Sequence, residues 1–408
     1  MLKRPAMCYH PRGFHGVSNS PNYILSNRPF GEPMAQRTRE IYKPGDIETN
    51  LIGVTSQQLA HSLSQRGIAA VHARTLFRRL YKDLAVEPWT DPTLPRGLAA
   101  HLSAHGRLEL PNIKKALRSG YDQSVKFLCE LRDGREIEAV LMPEKARLTL
   151  CLSSQVGCAQ ACVFCHTGRM GLTRQLSVAE IVGQLLLAQR WVAANPEWLH
   201  DVRLSPGTRI SNVVFMGMGE PLDNVEAVSQ AVTIMTDPYG LALGLAHISI
   251  STAGHLEGIK QLYAAHPKAR LALSVHSAFE SKRSRIMPIN KRWPLAAVVG
   301  WLREHLGCDG PPVMFQYTMI AGVNDSDDDA EALRALTSGL NAKINLIPLN
   351  DVATSRMSAP APERIQAFRD HLHRAGIRVM VRYSKGQDIA AACGQLVAIE
   401  AKNKTALN

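Results

Sequence analysis

Cysteine is scarce in this chain, 8 residues in 408, and its spacing is irregular. That excludes a disulfide scaffold, which needs dense cysteines and an oxidising compartment; the cysteines are to be read for reactivity. Aromatic residues make up only 6%. No apolar run approaches the roughly 20 residues that cross a bilayer as a helix, and the stretch MLKRPAMCYHPRGF lacks the apolar centre of a signal peptide. A cytoplasmic protein with no membrane contact is therefore expected. Acidic residues are in deficit as well, 35 against 47 Lys and Arg, leaving a formal net charge of +12. Such an excess favours a polyanionic partner, because each neutralised phosphate releases a counterion. Nucleic acid is the natural candidate.

What is present is an ordinary globular composition, 45% hydrophobic and 20% charged, with length enough for two or three units. Residues 1–45 are rich in Pro, Asn, Arg and Ser without periodicity and read as a loosely ordered arm. From Thr55 helical patterns begin. TSQQLAHSLSQRG offers a Thr cap, Leu59 and Leu63 one turn apart and Gly67 as a stop, and VHARTLFRRLYKDL and LPRGLAAHLSAHG follow. These predict a helical accessory unit over 46–115. Arg74, Arg78, Arg79 and Lys82 suit nucleic-acid binding there, with a solvated helix face as the competing reading. KFLCELRDGREIEAVLMP then reads as an antiparallel hairpin turning at Asp133 and Gly134, within a β extension over 116–147.

From Leu148 onward β-rich runs alternate with helical segments, beginning LTLCLS, SVAEIVGQLLLAQRW, NVVFMG, VEAVSQAVTIM and HISIS and ending at RVMVRY. The alternation predicts an α/β fold in which parallel strands are joined by helical crossovers, a closed or partial (β/α) barrel over 148–383 with a tail over 384–408. In such a barrel chemistry collects at the C-terminal ends of the strands.

Reactive residues are concentrated at those ends. Cys158, Cys162 and Cys165 follow LTLCLS in the run CAQACVFC. Thiolates spaced CxxxCxxC can hold three irons of a 4Fe-4S cube, and the lack of a matching fourth cysteine leaves one iron open. An open iron is what binding and reductive cleavage of S-adenosylmethionine require. Zinc is the rival reading. It takes four tetrahedral ligands, usually from two paired knuckles, and His166 directly after Cys165 is badly placed to converge with it on one ion.

One βα unit later, the glycines of GMGEP let backbone approach a ligand closely, and Glu220 can accept hydrogen bonds from a cationic amino group. Ser251, Ser274, His276 and Asn350 end further strands at the same rim. Two outlying cysteines remain: Cys151 within the first barrel strand, and Cys393 in GQDIAAACGQL. Buried cysteines are usually small hydrophobes, whereas the small residues around Cys393 suit a flexible or closely approaching loop. Their surroundings leave both readings open.

RLTLCLSSQVGCAQACVFCHTG, VVFMGMGEPLDN, ISISTAG, the RIMPIN element at 285–290, NLIP and DIAAACGQL together resemble the RlmN/Cfr family of radical-SAM RNA adenosine methyltransferases. The similarity runs over about 126–396 and more faintly through the helical segment. The resemblance implies a partial radical-SAM barrel, one 4Fe-4S cluster on Cys158, Cys162 and Cys165, and S-adenosylmethionine as cofactor. It implies methylation of an adenine ring carbon, carbon 2 rather than carbon 8, in 23S rRNA and in tRNA. It also implies a monomer served by an electron donor such as flavodoxin and by a thiol reductant.

For individual residues the resemblance implies that Cys393 accepts a methyl group, Glu138 takes a proton from the attacked carbon, and Cys151 then attacks the sulfur of Cys393. Cofactor contacts are implied at Gly219, Glu220, Ser251, Ser274, Val275, His276 and Asn350. The chain departs from the family pattern at His166 and Leu172, in SGYDQSVKFL, which lacks a DGT-like triplet, and at Lys385 in place of an arginine. Residues 195–208 read as an insertion. A radical-SAM enzyme acting on a different RNA, or on a protein or small molecule, is the alternative; the outlying cysteines and the basic helical segment argue against a non-RNA substrate.

Overall fold

Thr55 starts the first helix as its sequence suggests. Its hydroxyl accepts from the Gln58 N–H while the Gln58 side chain accepts from the Thr55 N–H, a reciprocal cap for the helix Ser56–Ser64. This computed structural model describes residues 50–350 and 357–396, so the arm over 1–45 and the end of the tail, 397–408, lie outside the described residues. Helices Val71–Tyr81 and Arg96–His105 follow. Leu59, Leu63, Leu76, Phe77 and Leu102 are buried in a core that is continuous with that of the barrel. Arg190 and Arg209 reach back to the carbonyls of Leu84, Ala85 and Lys82, which fastens the helices to the sheet. Arg78 and Arg79 pair with Asp83, so part of the basic face is neutralised locally.

Twelve strands follow among the described residues: β1 Asn112–Arg118, β2 Val125–Glu130, β3 Glu136–Glu144, β4 Arg147–Cys151, β5 Gln155–Cys158, β6 Gly171–Gln175, β7 Ile210–Phe215, β8 Ile248–Thr252, β9 Arg270–Ser274, β10 Val313–Met319, β11 Ala342–Pro348 and β12 Arg378–Val381. Ten of them form one sheet in the order β1-β2-β3-β4-β7-β8-β9-β10-β11-β12, while β5 and β6 pair separately. The first four make an antiparallel meander. From β4 onward every neighbouring pair is parallel. The outermost strands β1 and β12 do not pair with each other, so the barrel is partial, and the C-terminal ends of its parallel strands share one open rim.

Two details differ from the sequence reading. Strand β1 begins at Asn112, within the stretch read as helical; it is a largely exposed edge strand carrying Lys114 and Lys115, and charge on an edge hides the strand signal. The hairpin β2–β3 turns at Asp133 and Gly134, but its strands are buried almost throughout instead of alternating. One face meets a helix, with Phe127 edge-on to Trp191 at 5.5 Å, and the C-terminal tail reaches the hairpin through the Lys126 ammonium, which donates to the Ala390 carbonyl.

The insertion at 195–208 forms the short helix Pro196–Asp201. Its Trp198 is buried against Trp191, and the Trp198 ring N–H donates to the Gln123 carbonyl at 3.1 Å. No helix among the described residues is long and apolar enough to cross a membrane.

Candidate active site at the open rim

The chain leaving β4 is stitched to the GMGEP loop leaving β7. Gly217 N–H donates to the Leu152 carbonyl (2.9 Å), and Ser154 and Gln155 N–H groups donate to Met218 (2.8 and 3.2 Å). Ser153 Oγ accepts from Met218 N–H and donates to the Glu138 carbonyl, while Gln155 Oε1 accepts from Glu220 N–H at 2.7 Å. Gly219 has φ +105°, and a Cβ there would lie 2.6 Å from the Gln155 Cβ. A side chain at 219 would force the two loops apart.

This seam delivers the three cysteines. Cys158 closes β5, where the preceding Gly157 has φ +78° and a Cβ would sit 1.9 Å from the Gly171 carbonyl oxygen. Cys162 and Cys165 lie in the following loop, which packs through Cys162, Val163 and Phe164 on a small apolar cluster of Ala253, Ile286, Met287 and Ile289. Burial pushes the Cys158 thiol up to about 12 and raises Cys162 and Cys165 too, and the negative charges of neighbouring thiolates add to the effect. Three adjacent thiols that ionise reluctantly need a cationic acceptor to become thiolates. Three thiols with no fourth cysteine in the run leave tetrahedral zinc one sulfur ligand short, whereas a 4Fe-4S cluster takes one iron per sulfur and leaves its fourth iron open. The donor set fits the cluster.

Glu220 is buried, and its carboxylate accepts from the Ala253 N–H (2.7 Å), the Leu222 N–H (3.1 Å) and Thr252. Burial nonetheless pushes it up to about 7. The sequence reads Glu220 as an acceptor for a cationic amine; in the fold its carboxylate also ties the β7 and β8 loops together. Ser251 and Ser274 lie half-buried on β8 and β9, and Val275 is buried next to them. His276 follows with φ +55°; its Nδ1 accepts from the Thr318 N–H at 2.8 Å. A backbone N–H can only donate, so the ring proton is on Nε2. Burial, reinforced by Arg283, pushes His276 down to about 3 and keeps it neutral.

Arg283 is the charged side chain that sequence reasoning passed over, since nothing in SKRSRIMPIN separates it from its neighbours. It is 0% exposed. Its guanidinium donates to the carbonyls of Ala253 (2.6 Å), Ser274 (3.0 Å) and Val275 (3.1 Å) and to Asn290 Oδ1 (2.5 Å). Burial lowers it to about 10, opposed by Glu280 and Cys162. A full positive charge is thus held at the ends of β8 and β9 beside Cys162, satisfied mostly by backbone oxygens.

The outlying cysteines come together. Cys151 ends β4 and is 7% exposed, Cys393 is exposed, and both line one pocket with Val140, Met142, Met216 and Arg382. Burial and then the Cys393 charge push Cys151 up to about 12. The tail around Cys393 approaches the rim closely and is held there by hydrogen bonds. Asn350 Nδ2 donates to the Cys393 carbonyl at 3.0 Å, His166 N–H to the Gly394 carbonyl at 2.8 Å, and Thr167 Oγ1 to the Leu396 carbonyl at 2.7 Å. Thus Asn350 touches the tail, and the cluster loop itself grips it at Gly394 and Leu396.

Further back, Asp388 accepts from Ser119 Oγ (2.7 Å) and Gly120 N–H (2.9 Å), and Asp122 accepts from Gly386 N–H (2.8 Å). The segment 119–124 therefore anchors the tail, and it is buttressed in turn by Trp198. Replacing Asp388 with Ala is expected to cost about 1–2 kcal/mol of local stability. Hydrogen exchange over 386–394 should accelerate while the thermal midpoint of the barrel stays put.

Glu138 on β3 is 3% exposed and pairs with Lys126 Nζ at 3.0 Å; the same ammonium donates to the Ala390 carbonyl at 3.1 Å. A buried carboxylate, its counter-charge and the cysteine-bearing tail form one connected unit. Lys126 gave no signal in sequence beyond a polar residue in a strand.

No family model matches the chain. It is 41% identical over 351 residues to the probable dual-specificity RNA methyltransferase RlmN of Akkermansia muciniphila, covering 84% of this chain and 93% of that one. It is 36% identical over 356 residues to the dual-specificity RNA methyltransferase RlmN of Bdellovibrio bacteriovorus, covering 87% and 86%. A solved structure, that of a radical SAM methyltransferase from Sphaerobacter thermophilus, matches with a TM-score of 0.78 and 38% identity over 86% of this chain and 100% of that chain.

Proposed function

Because the chain belongs to the RlmN family of radical-SAM RNA methyltransferases, we propose that it methylates carbon 2 of an adenosine, rather than carbon 8, in 23S rRNA and tRNA by way of a methyl group carried on Cys393. The observation that supports this most directly is the meeting of Cys151 and Cys393 in one pocket next to the cluster loop. A methyltransferase that used simple polar transfer would need neither thiol. Both the methyl of S-adenosylmethionine and the amidine carbon of adenine are electrophilic, so the methyl must first be handed to a sulfur and then activated.

Cys158, Cys162 and Cys165 would hold the 4Fe-4S cluster, and Gly219, Glu220, Ser251, Ser274, Val275, His276 and Asn350 would surround S-adenosylmethionine at the rim. When bound, the cluster supplies the electron that splits S-adenosylmethionine and so makes an inert methyl group reactive. The protein's own groups do the rest. Asn350 and His166 hold the successive backbone carbonyls of Cys393 and Gly394, keeping the methyl carrier in the pocket. Glu138, charge-compensated by Lys126 at 3.0 Å, receives the proton from the attacked carbon. Cys151, as a thiolate, then attacks the sulfur of Cys393; the carbon–sulfur bond breaks with its electron pair left on carbon, which takes up a proton to become the methyl group of the released RNA, and a Cys151–Cys393 disulfide remains for an external thiol to reduce. Burial keeps the Cys151 thiol protonated until then, and Arg382 is the nearby positive charge that favours its thiolate.

The reading includes a monomer working in the cytoplasm, where rRNA, tRNA, reducing thiols and an electron donor such as flavodoxin are at hand. Nucleoside mass spectrometry of 23S rRNA and tRNA from cells with and without the gene tests it. Loss of 2-methyladenosine from both pools is expected on deletion; loss of 8-methyladenosine would reassign the carbon, and unchanged nucleosides in both would overturn the function.

A further inference from the structure

Gln316 on β10 is 4% exposed and lines the pocket that holds Cys151 and Cys393. Its Oε1 faces Asn345 Nδ2 at 3.4 Å, but its Nε2 has no partner among the described residues. The orientation of this amide is set from behind. Asn345 Nδ2 also lies 3.0 Å from the Met314 sulfur, an acceptor, so Asn345 presents its N–H groups to Met314 and to Gln316. Gln316 must then turn its oxygen towards Asn345 and its N–H groups away. A buried donor left unmade is costly, and native interiors rarely tolerate one.

Register identifies what it meets. Ser274, Gln316 and Asn345 are aligned across β9, β10 and β11, and aligned residues of adjacent strands project from the same face of a sheet. Ser274 is one of the residues assigned above to S-adenosylmethionine. A molecule that touches Ser274 and extends towards Cys393 passes over Gln316. Val214, Ile347 and Leu396 of the pocket wall offer no side-chain acceptor, and Asn345 Oδ1 is a second buried polar atom without a partner among the described residues.

We propose that Gln316 recognises the adenosyl group of S-adenosylmethionine, its side-chain N–H donating to a ribose or adenine acceptor while Asn345 holds the amide in that orientation. The assignment rests on the functional reading above. It favours the cofactor over the target base because Gln316 lies inside the barrel, three residues before the end of β10 at Met319, whereas RNA arrives from the open rim.

The test is equilibrium dialysis of S-adenosylmethionine against the cluster-loaded protein, with filter binding of a 23S rRNA fragment in parallel. Gln316→Met, similar in volume but without the donor, should weaken S-adenosylmethionine about tenfold and leave RNA affinity unchanged. Gln316→Glu preserves shape, turns a donor into an acceptor and should weaken it further; it decides the matter if the Met variant fails to fold. Unchanged cofactor affinity in a folded variant would mean that water satisfies Nε2, and a loss confined to RNA would mean that the donor serves the target base; either overturns the assignment alone. An unaltered protein that binds no S-adenosylmethionine would overturn the functional reading and the assignment with it.

Discussion

Replacing Cys393 with Ala should abolish methyl transfer, by at least about 10³-fold, while leaving the fold and the cluster-binding loop intact. The side chain is exposed, so its truncation should change stability by no more than about 0.5 kcal/mol. The contacts that position the tail here come from backbone carbonyls, those of Ala390, Cys393, Gly394 and Leu396, and survive the change. What disappears is the single sulfur able to carry the methyl group. Two measurements check this. Methylated adenosine should be undetectable in RNA treated with the variant, while its absorption spectrum after anaerobic reconstitution should match that of the unaltered protein. Full turnover would remove the proposed mechanism at its root.

The opposite failure is expected when Cys151 becomes Ala. Carbon–carbon bond formation at Cys393 does not need the Cys151 thiol, but resolution does, because only an attack on the Cys393 sulfur frees the product. Cys151→Ala should therefore accumulate a covalent RNA–protein adduct and release less than about a hundredth of the normal product. Cys151 is buried, so removing its sulfur should cost about 1 kcal/mol, well within what the barrel tolerates. On a denaturing gel the adduct appears as a retarded band that collapses with ribonuclease, and the double variant lacking both cysteines should not form it. A Cys151 variant that turns over freely without an adduct would assign resolution to another group.

The arrangement also gives the departures from the family pattern a physical setting. The segment 119–124 holds Asp388 and Gly386, and the insertion at 195–208 supports that segment through Trp198. Variation there acts on how firmly Cys393 is presented and leaves the cysteine triplet and the rim untouched. Lys385 takes part in the same bracing: its ammonium donates to the Pro143 carbonyl on β3.

Much of the protein was legible in the linear chain because its signals are local. The CxxxCxxC spacing defines a donor set whatever surrounds it, the capping residues of Thr55 declare a helix start, and alternating strand and helix patterns imply a parallel sheet with one reactive rim. Even the glycines of GMGEP announce a close approach. What stayed illegible depends on desolvation and on distant partners. Apart from the family resemblance, the sequence around Cys151 and Cys393 left them undecided between inert and reactive, since their shared pocket exists only once β4 and the tail are folded together. Arg283, Lys126 and Gln316 look like any surface polar residue in a row of letters. Their significance arises from burial, which makes an unpaired charge or N–H costly and so forces each to find a particular partner. Short-range chemistry and periodicity were written in the residues; which groups lost water, and against whom, was decided by the tertiary structure.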